Sequence, residues 1–328
     1  MTRTPMKAAL YHHYGPPDVV QLTDIDKPTP KDNEVLIRTR ATTVTSGDWR
    51  VRSMNVPAGF GLMARLALGV TGPRQKILGT ELSGEIESVG RNVRRFKPGD
   101  HVFIFTGAKM GCHAEYKCMP EDGAIALKPS NLTFDEAAAI SFGGTTALDF
   151  FRRGKLKRGE RVLINGASGG VGTAAVQLAK HFGAEVTAVC SSANAELVGS
   201  LGASRVIDYE EEDFTRDAET WDVIVDTAGT APFSRVRNSL TEGGRLLVIL
   251  GNLADMLRAP LLSMKGSRKI IAGPVKERPE DLRFLAELAE AGEYRPVIDR
   301  RYPFDQIAEA HRYVDTGRKR GNVVITMA

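Results

Sequence analysis

The apolar run Arg161-Val162-Leu163-Ile164 passes through Asn165-Gly166-Ala167-Ser168-Gly169-Gly170-Val171-Gly172 into a helix-forming segment, Thr173 to Lys180. Strand, glycine turn and helix in that order are the context a dinucleotide-binding fingerprint requires. Glycines let the backbone turn sharply and approach a pyrophosphate, and the first free N–H groups of the helix meet its negative charge. The spacing is Ala167-x-Gly169-x-x-Gly172, with alanine in place of the usual first glycine. Ala167, Ser168, Gly169, Gly170, Val171 and Gly172 are therefore candidate cofactor contacts. A glycine-rich turn that binds nothing is the alternative.

From Arg161 onward strands and helices alternate. Apolar runs predict strands at Val162–Asn165, Glu185–Val189, Arg205–Ile207, Asp222–Asp226, Arg245–Leu250 and Lys269–Ala272. Helical stretches lie between them, including Asn194–Leu201, closed by Gly202, and Ala231–Leu240. This alternation predicts a doubly wound parallel sheet. Pro279, Glu280 and Asp281 start a further helix, with Leu282, Leu285, Leu288 and Ala289 as its apolar stripe. A helix over Phe304–Thr316 and a strand over Asn322–Met327 close the chain.

The first third reads differently. Met6–Tyr11, Glu34–Thr43, Gly84–Val89 and His101–Phe105 are predicted strands separated by turns, as in a compact antiparallel barrel. Phe60 to Val70 has Leu62, Met63, Leu66 and Ala67 near helical spacing. It reads as a short helix over a cleft; a core helix and a membrane-touching surface are the alternatives. Thr133-Phe134-Asp135-Glu136 has the form of a capping box before Ala137-Ala138-Ala139.

With 328 residues there is room for two domains, and 42% hydrophobic with 26% charged residues is ordinary for a soluble globular protein. The net charge of +4 is dispersed, so no nucleic-acid stripe is expected. No apolar run is long enough to span a membrane, and residues 1–7 lack a signal-peptide core, so a cytoplasmic location is expected. Cys112, Cys118 and Cys190 form no disulfide framework, which fits a reducing compartment.

These pieces together resemble the medium-chain dehydrogenase/reductase superfamily, in its zinc-free quinone oxidoreductase-like branch. The resemblance rests on Gly79-Thr80-Glu81-Leu82-Ser83-Gly84 with Val89-Gly90 and Gly99-Asp100, on Ala167–Gly172, and on a closing set. That set is Pro296-Val297-Ile298-Asp299, Ala308-Glu309-Ala310-His311 and Gly321-Asn322-Val323-Val324. It implies an α/β chain in which a Rossmann domain, residues 131–294, is inserted into a GroES-like β-rich catalytic domain, residues 1–130 plus 295–328. A cleft between the domains and a homodimer are also implied.

Zinc-dependent relatives carry a Cys, a His and a Cys where this chain has Ser46, Thr80 and, nearby, Phe142. Catalytic zinc needs three Cys, His or carboxylate ligands, so no metal is expected. Glu81 is retained and reads as a structural hydrogen-bonding group. Where NAD-preferring enzymes place Asp or Glu after the second strand, this chain has Cys190-Ser191-Ser192-Ala193-Asn194. Ser191, Ser192 and Asn194 can donate to a 2′-phosphate, so NADPH is the expected cofactor, although some relatives have Lys at Asn194. The resemblance adds Tyr209 at the adenosine end and Arg318 or Lys319 as possible cations. For the nicotinamide it implies Thr146, Ala228 in Thr227-Ala228-Gly229, and Leu250 and Gly251 beside Asn252; Asn322 is a further implied cofactor contact. Thr146 as a plain helix hydroxyl stays open.

Without a metal, an acceptor must already be electrophilic; quinones and α,β-unsaturated carbonyls qualify. The expected reaction is hydride transfer from NADPH to such a small molecule. Thr45 and Asp48, in Thr45-Ser46-Gly47-Asp48, are the catalytic candidates, with Asp48 as a turn cap the alternative. A zinc-type alcohol dehydrogenase and a cofactor-binding protein with little turnover are the rival readings.

Overall fold

The computed structural model describes residues 4–216, 219–251 and 267–327. In chain order it begins with β1 (Pro5–Leu10), β2 (Gln21–Asp26) and β3 (Glu34–Val44), then α1 (Ser46–Ser53) and α2 (Gly61–Leu68). Next come β4 (Glu81–Val89), β5 (His101–Phe105), β6 (Tyr116–Pro120), β7 (Ile125–Leu127), α3 (Phe134–Ala138) and α4 (Ser141–Gly154). The alternating stretch follows: β8 (Arg161–Asn165), α5 (Gly170–His181), β9 (Glu185–Cys190), α6 (Ala195–Leu201), β10 (Arg205–Asp208), β11 (Trp221–Asp226), α7 (Phe233–Val236), β12 (Leu240–Val248) and β13 (Lys269–Ile271). The chain closes with α8 (Pro279–Glu290), β14 (Ile298–Pro303), α9 (Ile307–Asp315) and β15 (Asn322–Thr326).

Two compact units result. One comprises residues 1–56, 61–142 and 277–328; the other comprises 57–60 and 143–276. The resemblance implies boundaries at 131 and 294, whereas contacts divide the chain at 142 and 276. The difference at the second boundary is α8, which packs against β7 of the first unit and buries Leu282, Leu285, Leu288 and Ala289.

The first unit holds a sheet of order β14-β15-β3-β4-β5-β7, with β6 also on β3. All its pairings are antiparallel except β14 with β15. Val35, Ile37, Leu82, Ile86, Val102 and Ile104 build one of its cores. The capping box at Thr133 is complete: its side chain accepts from Glu136 N, and Glu136 accepts from Thr133 N at 2.8 Å. Helix α2 forms where the spacing predicts it, but none of its residues is buried, and Leu62 is 74% exposed. A core helix is therefore ruled out.

The second unit holds six parallel strands in the order β10-β9-β8-β11-β12-β13. Counted from β8, that is 3-2-1-4-5-6, the doubly wound Rossmann order. One expectation is corrected. The stretch Ala231–Leu240 is not one helix: α7 covers four residues, a 3-10 turn follows, and Leu240 already pairs with Trp221 in the sheet. Pro232 fixes where the helix starts, and burial of Leu240 in the sheet core stops it. The strand predicted at Arg245–Leu250 accordingly runs from Leu240 to Val248.

Beneath α9, the His311 ring lies 5.5 Å from His113, centroid to centroid, and is completely buried. Neither of its nitrogens has a partner among the described residues. Burial first, then His113 and the buried Arg52 guanidinium, hold its pKa well below the ordinary value. The folded chain thus keeps His311 neutral while the unfolded chain protonates it below about pH 6.5, so its contribution is full above that pH and lost as pH falls. Glu81, with its pKa raised to about 7 mainly by burial, has the opposite slope between its unfolded value and about pH 7. Comparing the parent with His311→Leu cancels the Glu81 effect. In denaturant titrations between pH 5 and 6.5, the stability difference should change by about 1.4 kcal/mol per pH unit. Parallel slopes would refute the neutral, buried assignment.

Candidate functional site

Helix α5 begins at Gly170, with Gly169 as N-cap in extended conformation and no side-chain cap. Its first amide groups are left to whatever the turn holds, and the helix dipole favours an anion there. Two close approaches fix this geometry. A Cβ on Gly172 would lie 2.1 Å from Gly166 O, and one on Gly143 would lie 2.4 Å from Gly170 O. The first seats α5 on the end of β8; the second presses α4 onto the start of α5. Thr146, one turn along α4, is buried.

The opposite side of the turn joins the Thr227–Gly229 loop, which the resemblance implied, to Asn165, Asp226 and Thr230, to which the sequence reading gave no role. Asn165 Nδ2 donates to Asp226 Oδ1 at 2.9 Å and to Thr230 Oγ1 at 2.8 Å. Asp226 in turn accepts from Gly229 N and Ala231 N, at 2.9 and 3.0 Å. Thr227 Oγ1 donates to the Asn165 and Gly166 carbonyls, at 2.8 and 3.0 Å. This network holds Ala228 beside Gly166, and Gly229 packs on Leu250. Gly251 is the last described residue of that segment; Asn252 lies outside the described residues. For Asn165 and Asp226 the sequence signal was their place as polar residues at the ends of two predicted strands.

At the ends of β9 and β10, Gly166 N and Ala167 N both donate to Val189 O, which brings the turn to the edge of β9. Ser191 Oγ accepts from Asn194 Nδ2 at 3.1 Å. Ser192 N donates at 2.8 Å to Asp208, which closes β10 opposite Cys190. Tyr209 is 60% exposed beside it, its N–H bonded to Cys190 O. Ala167, Ser168, Gly169, Gly170, Val171, Gly172, Ser191, Ser192, Asn194, Tyr209, Ala228, Leu250 and Gly251 thus share the carboxyl-end edge of one sheet, with Thr146 on the helix packed there.

The other candidates belong to the first unit. Asn322 Nδ2 donates to the Ala139 and Val297 carbonyls, at 3.0 and 3.1 Å, so both its amide hydrogens are used inside that unit. Thr45 is the N-cap of α1 in a complete capping box. Asp48 Oδ2 accepts from Thr45 N and Thr45 Oγ1 at 2.8 and 2.6 Å, and Oδ1 accepts from Gly79 N at 2.8 Å. Asp48 is wholly buried, so its carboxylate fixes the start of α1 to the Gly79 turn. Glu81 accepts from Thr43 Oγ1 and Phe142 N, each at 2.5 Å. Nearby Lys319 is lowered to about 8 by burial, against the pull of Glu81 and Asp299, and its Nζ donates to Gly321 O. Among the described residues there is no group of three or more His, Cys, Asp or Glu placed to hold a metal ion. No helix among them is long and apolar enough to cross a membrane.

Comparison with known proteins fits these two architectures. Residues 31–130 match the alcohol dehydrogenase GroES-like domain family, and residues 201–325 the zinc-binding dehydrogenase family. The 2-methylene-furan-3-one reductase of Solanum lycopersicum is 33% identical, over 98% of this chain and 79% of that protein. The chain belongs to the medium-chain dehydrogenase/reductase superfamily, in its quinone oxidoreductase-like branch. The chloroplastic NADPH-dependent alkenal/one oxidoreductase of Arabidopsis thaliana is 30% identical, again over 98% of this chain and 79% of that protein. The solved quinone oxidoreductase of Coxiella burnetii superposes with a TM-score of 0.87 at 28% identity, over 99% of this chain and 100% of that one.

Two glycines separate fold from ligand. Gly172→Ala must displace backbone and should cost about 1–3 kcal/mol or more. A Cβ on Gly169 meets nothing nearer than Gly166 O at 3.6 Å, and its φ of −78° suits alanine. Gly169→Ala should leave thermal stability within about 0.5 kcal/mol of the parent. It should also weaken dinucleotide binding roughly tenfold, about 1.4 kcal/mol, by calorimetry. Unchanged affinity in that variant would mean the turn is not a phosphate cradle.

Proposed function

We propose that this chain is a zinc-independent, NADPH-dependent reductase acting on quinones or α,β-unsaturated carbonyls. The observation that carries the reading is the open N-terminus of α5 at the point where the strand order reverses, between β8 and β11. Doubly wound sheets bind their ligands at that point. The residues present suit a nicotinamide dinucleotide: an uncapped helix start for the pyrophosphate and hydroxyl and amide side chains after β9. A braced loop at Thr227–Gly229 and buried Thr146 would serve the nicotinamide end.

The bound nicotinamide would supply hydride from C4. The amides at Gly169–Gly172 would hold the pyrophosphate, and Ser191 and Asn194 would face the adenosine ribose. Thr146, Ala228, Leu250 and Gly251 would orient the carboxamide so that one ring face meets the acceptor. Thr45 and Asp48 act in this reading as positioning residues: with every Asp48 bond used in holding α1, proton delivery falls to solvent or to a substrate-facing hydroxyl.

The donor set speaks against catalytic zinc. Ser46, Thr80 and Phe142 stand where zinc-dependent relatives have ligands, and a hydroxyl pair with a phenyl ring does not bind zinc. With no metal to polarise a carbonyl, the acceptor's own conjugation must delocalise the incoming charge. The furanone and alkenal reductases among the relatives are named for conjugated acceptors of that kind. A homodimer completes the proposal.

The test is steady-state oxidation of NADPH and NADH against a panel of quinones, enones, saturated aldehydes and alcohols, with metal content measured on the same sample. Turnover of quinones or enones that survives chelation is the expected result. Zinc-dependent alcohol oxidation would overturn the proposal, as would tight cofactor binding with no turnover of any conjugated acceptor.

A further inference from the structure

The loop after β9 carries no acidic residue of its own to meet an adenosine ribose, yet the strand order delivers one. Asp208 ends β10, directly opposite Cys190 at the end of β9. Its Oδ2 accepts from Ser192 N at 2.8 Å, and its Oδ1 accepts from Glu210 N at 3.0 Å. These bonds, the Glu210 amide foremost, hold its carboxyl below the usual range, so it is ionised at neutral pH. Its field is felt next door: burial and then Asp208 push the Cys190 thiol up to about 11.

The charge has no cationic counterweight in the loop. Residues 190–204 contain no Lys, Arg or His, and Arg205 at the far end of β10 is committed to Glu219 and Glu212. Ser192 is bound to Asp208 through its amide and its hydroxyl. Ser191, which accepts from Asn194, keeps its own hydroxyl proton available for donation. A ribose at this edge would therefore meet one free hydroxyl donor and one fixed carboxylate. A carboxylate accepts a hydrogen bond from a 2′-hydroxyl and repels a 2′-phosphate.

We propose that Asp208 sets the cofactor preference of this chain: reaching across from the third strand, it takes the part of the missing second-strand acid and limits discrimination against NADH. This rests on the dinucleotide reading above, and it predicts an NADPH-dependent enzyme that also accepts NADH.

Asp208→Asn keeps the shape and a carbonyl acceptor for Ser192 N, removes the charge, and gives up the acceptor for Glu210 N, a loss the melting measurement reads separately. Equilibrium binding of NADPH and NADH is measured by calorimetry on parent and variant, alongside thermal melting without cofactor. The NADPH Kd should fall roughly 3- to 10-fold, with the NADH Kd unchanged or raised, and the NADPH gain should shrink at high salt. Asn194→Lys, which leaves the Asp208 bonds in place, should move NADPH affinity the same way and serves if Asp208→Asn melts early. Equal changes for both cofactors would make Asp208 a loop brace only and overturn the proposal, as would no change in either variant. Absence of binding by the parent to either cofactor would instead bring down the dinucleotide reading itself, and this proposal with it.

Discussion

Contact between the backbone of Gly172 and the carbonyl of Gly166 is the constraint on which the second unit depends. With no room for a Cβ at 172, α5 sits directly on the end of β8. That proximity leaves the first helical amides uncovered, because no side chain caps Gly169. An uncapped helix start is ordinarily a cost, since orphan N–H groups lose water without gaining a partner. Retaining it at the reversal point of the sheet makes sense when an anion supplies the missing acceptor. The alanine at 167 does not disturb this arrangement: its side chain is buried and its amide bonds to Val189 O.

The same edge is shaped by residues whose importance comes from pairing rather than motif. Asn165 and Asp226 end adjacent strands, and together they fix the Thr227–Ala231 loop. Asp208 belongs to a third strand and reaches the loop of the second. Each is an unremarkable polar residue in the linear text. Their charges and donors converge because parallel strands align their carboxyl ends.

This explains which parts were legible. The strand–turn–helix at Arg161–Lys180, the Thr133 capping box, the Pro279 helix start and the Gly202 cap are written locally, in spacing and residue type. The end of the helix expected at Ala231–Leu240 was not, because Leu240 is helix-compatible by composition and is claimed by its pairing with Trp221. The loop at Cys190–Asn194 shows the same limit at the site. Read alone it lacks a carboxylate, and the fold provides one from residue 208. Thr45 and Asp48 were legible as a cap or as chemistry, and only the bond from Gly79 N shows how completely the carboxylate is used.

That occupancy bears on how the first unit could contribute to reduction. Asp48 and Glu81 are both fully buried carboxyl groups, and their acceptors are taken by Thr45, Gly79, Thr43 and Phe142. Releasing either for proton transfer would strand a buried amide donor, at roughly 1–3 kcal/mol. Glu81 differs from Asp48 in one respect: burial brings it to about 7, near neutrality, with Asp48 pushing it up and Lys319 pulling it down. A carboxyl poised there changes the charge of the Thr43–Phe142 corner across the physiological range.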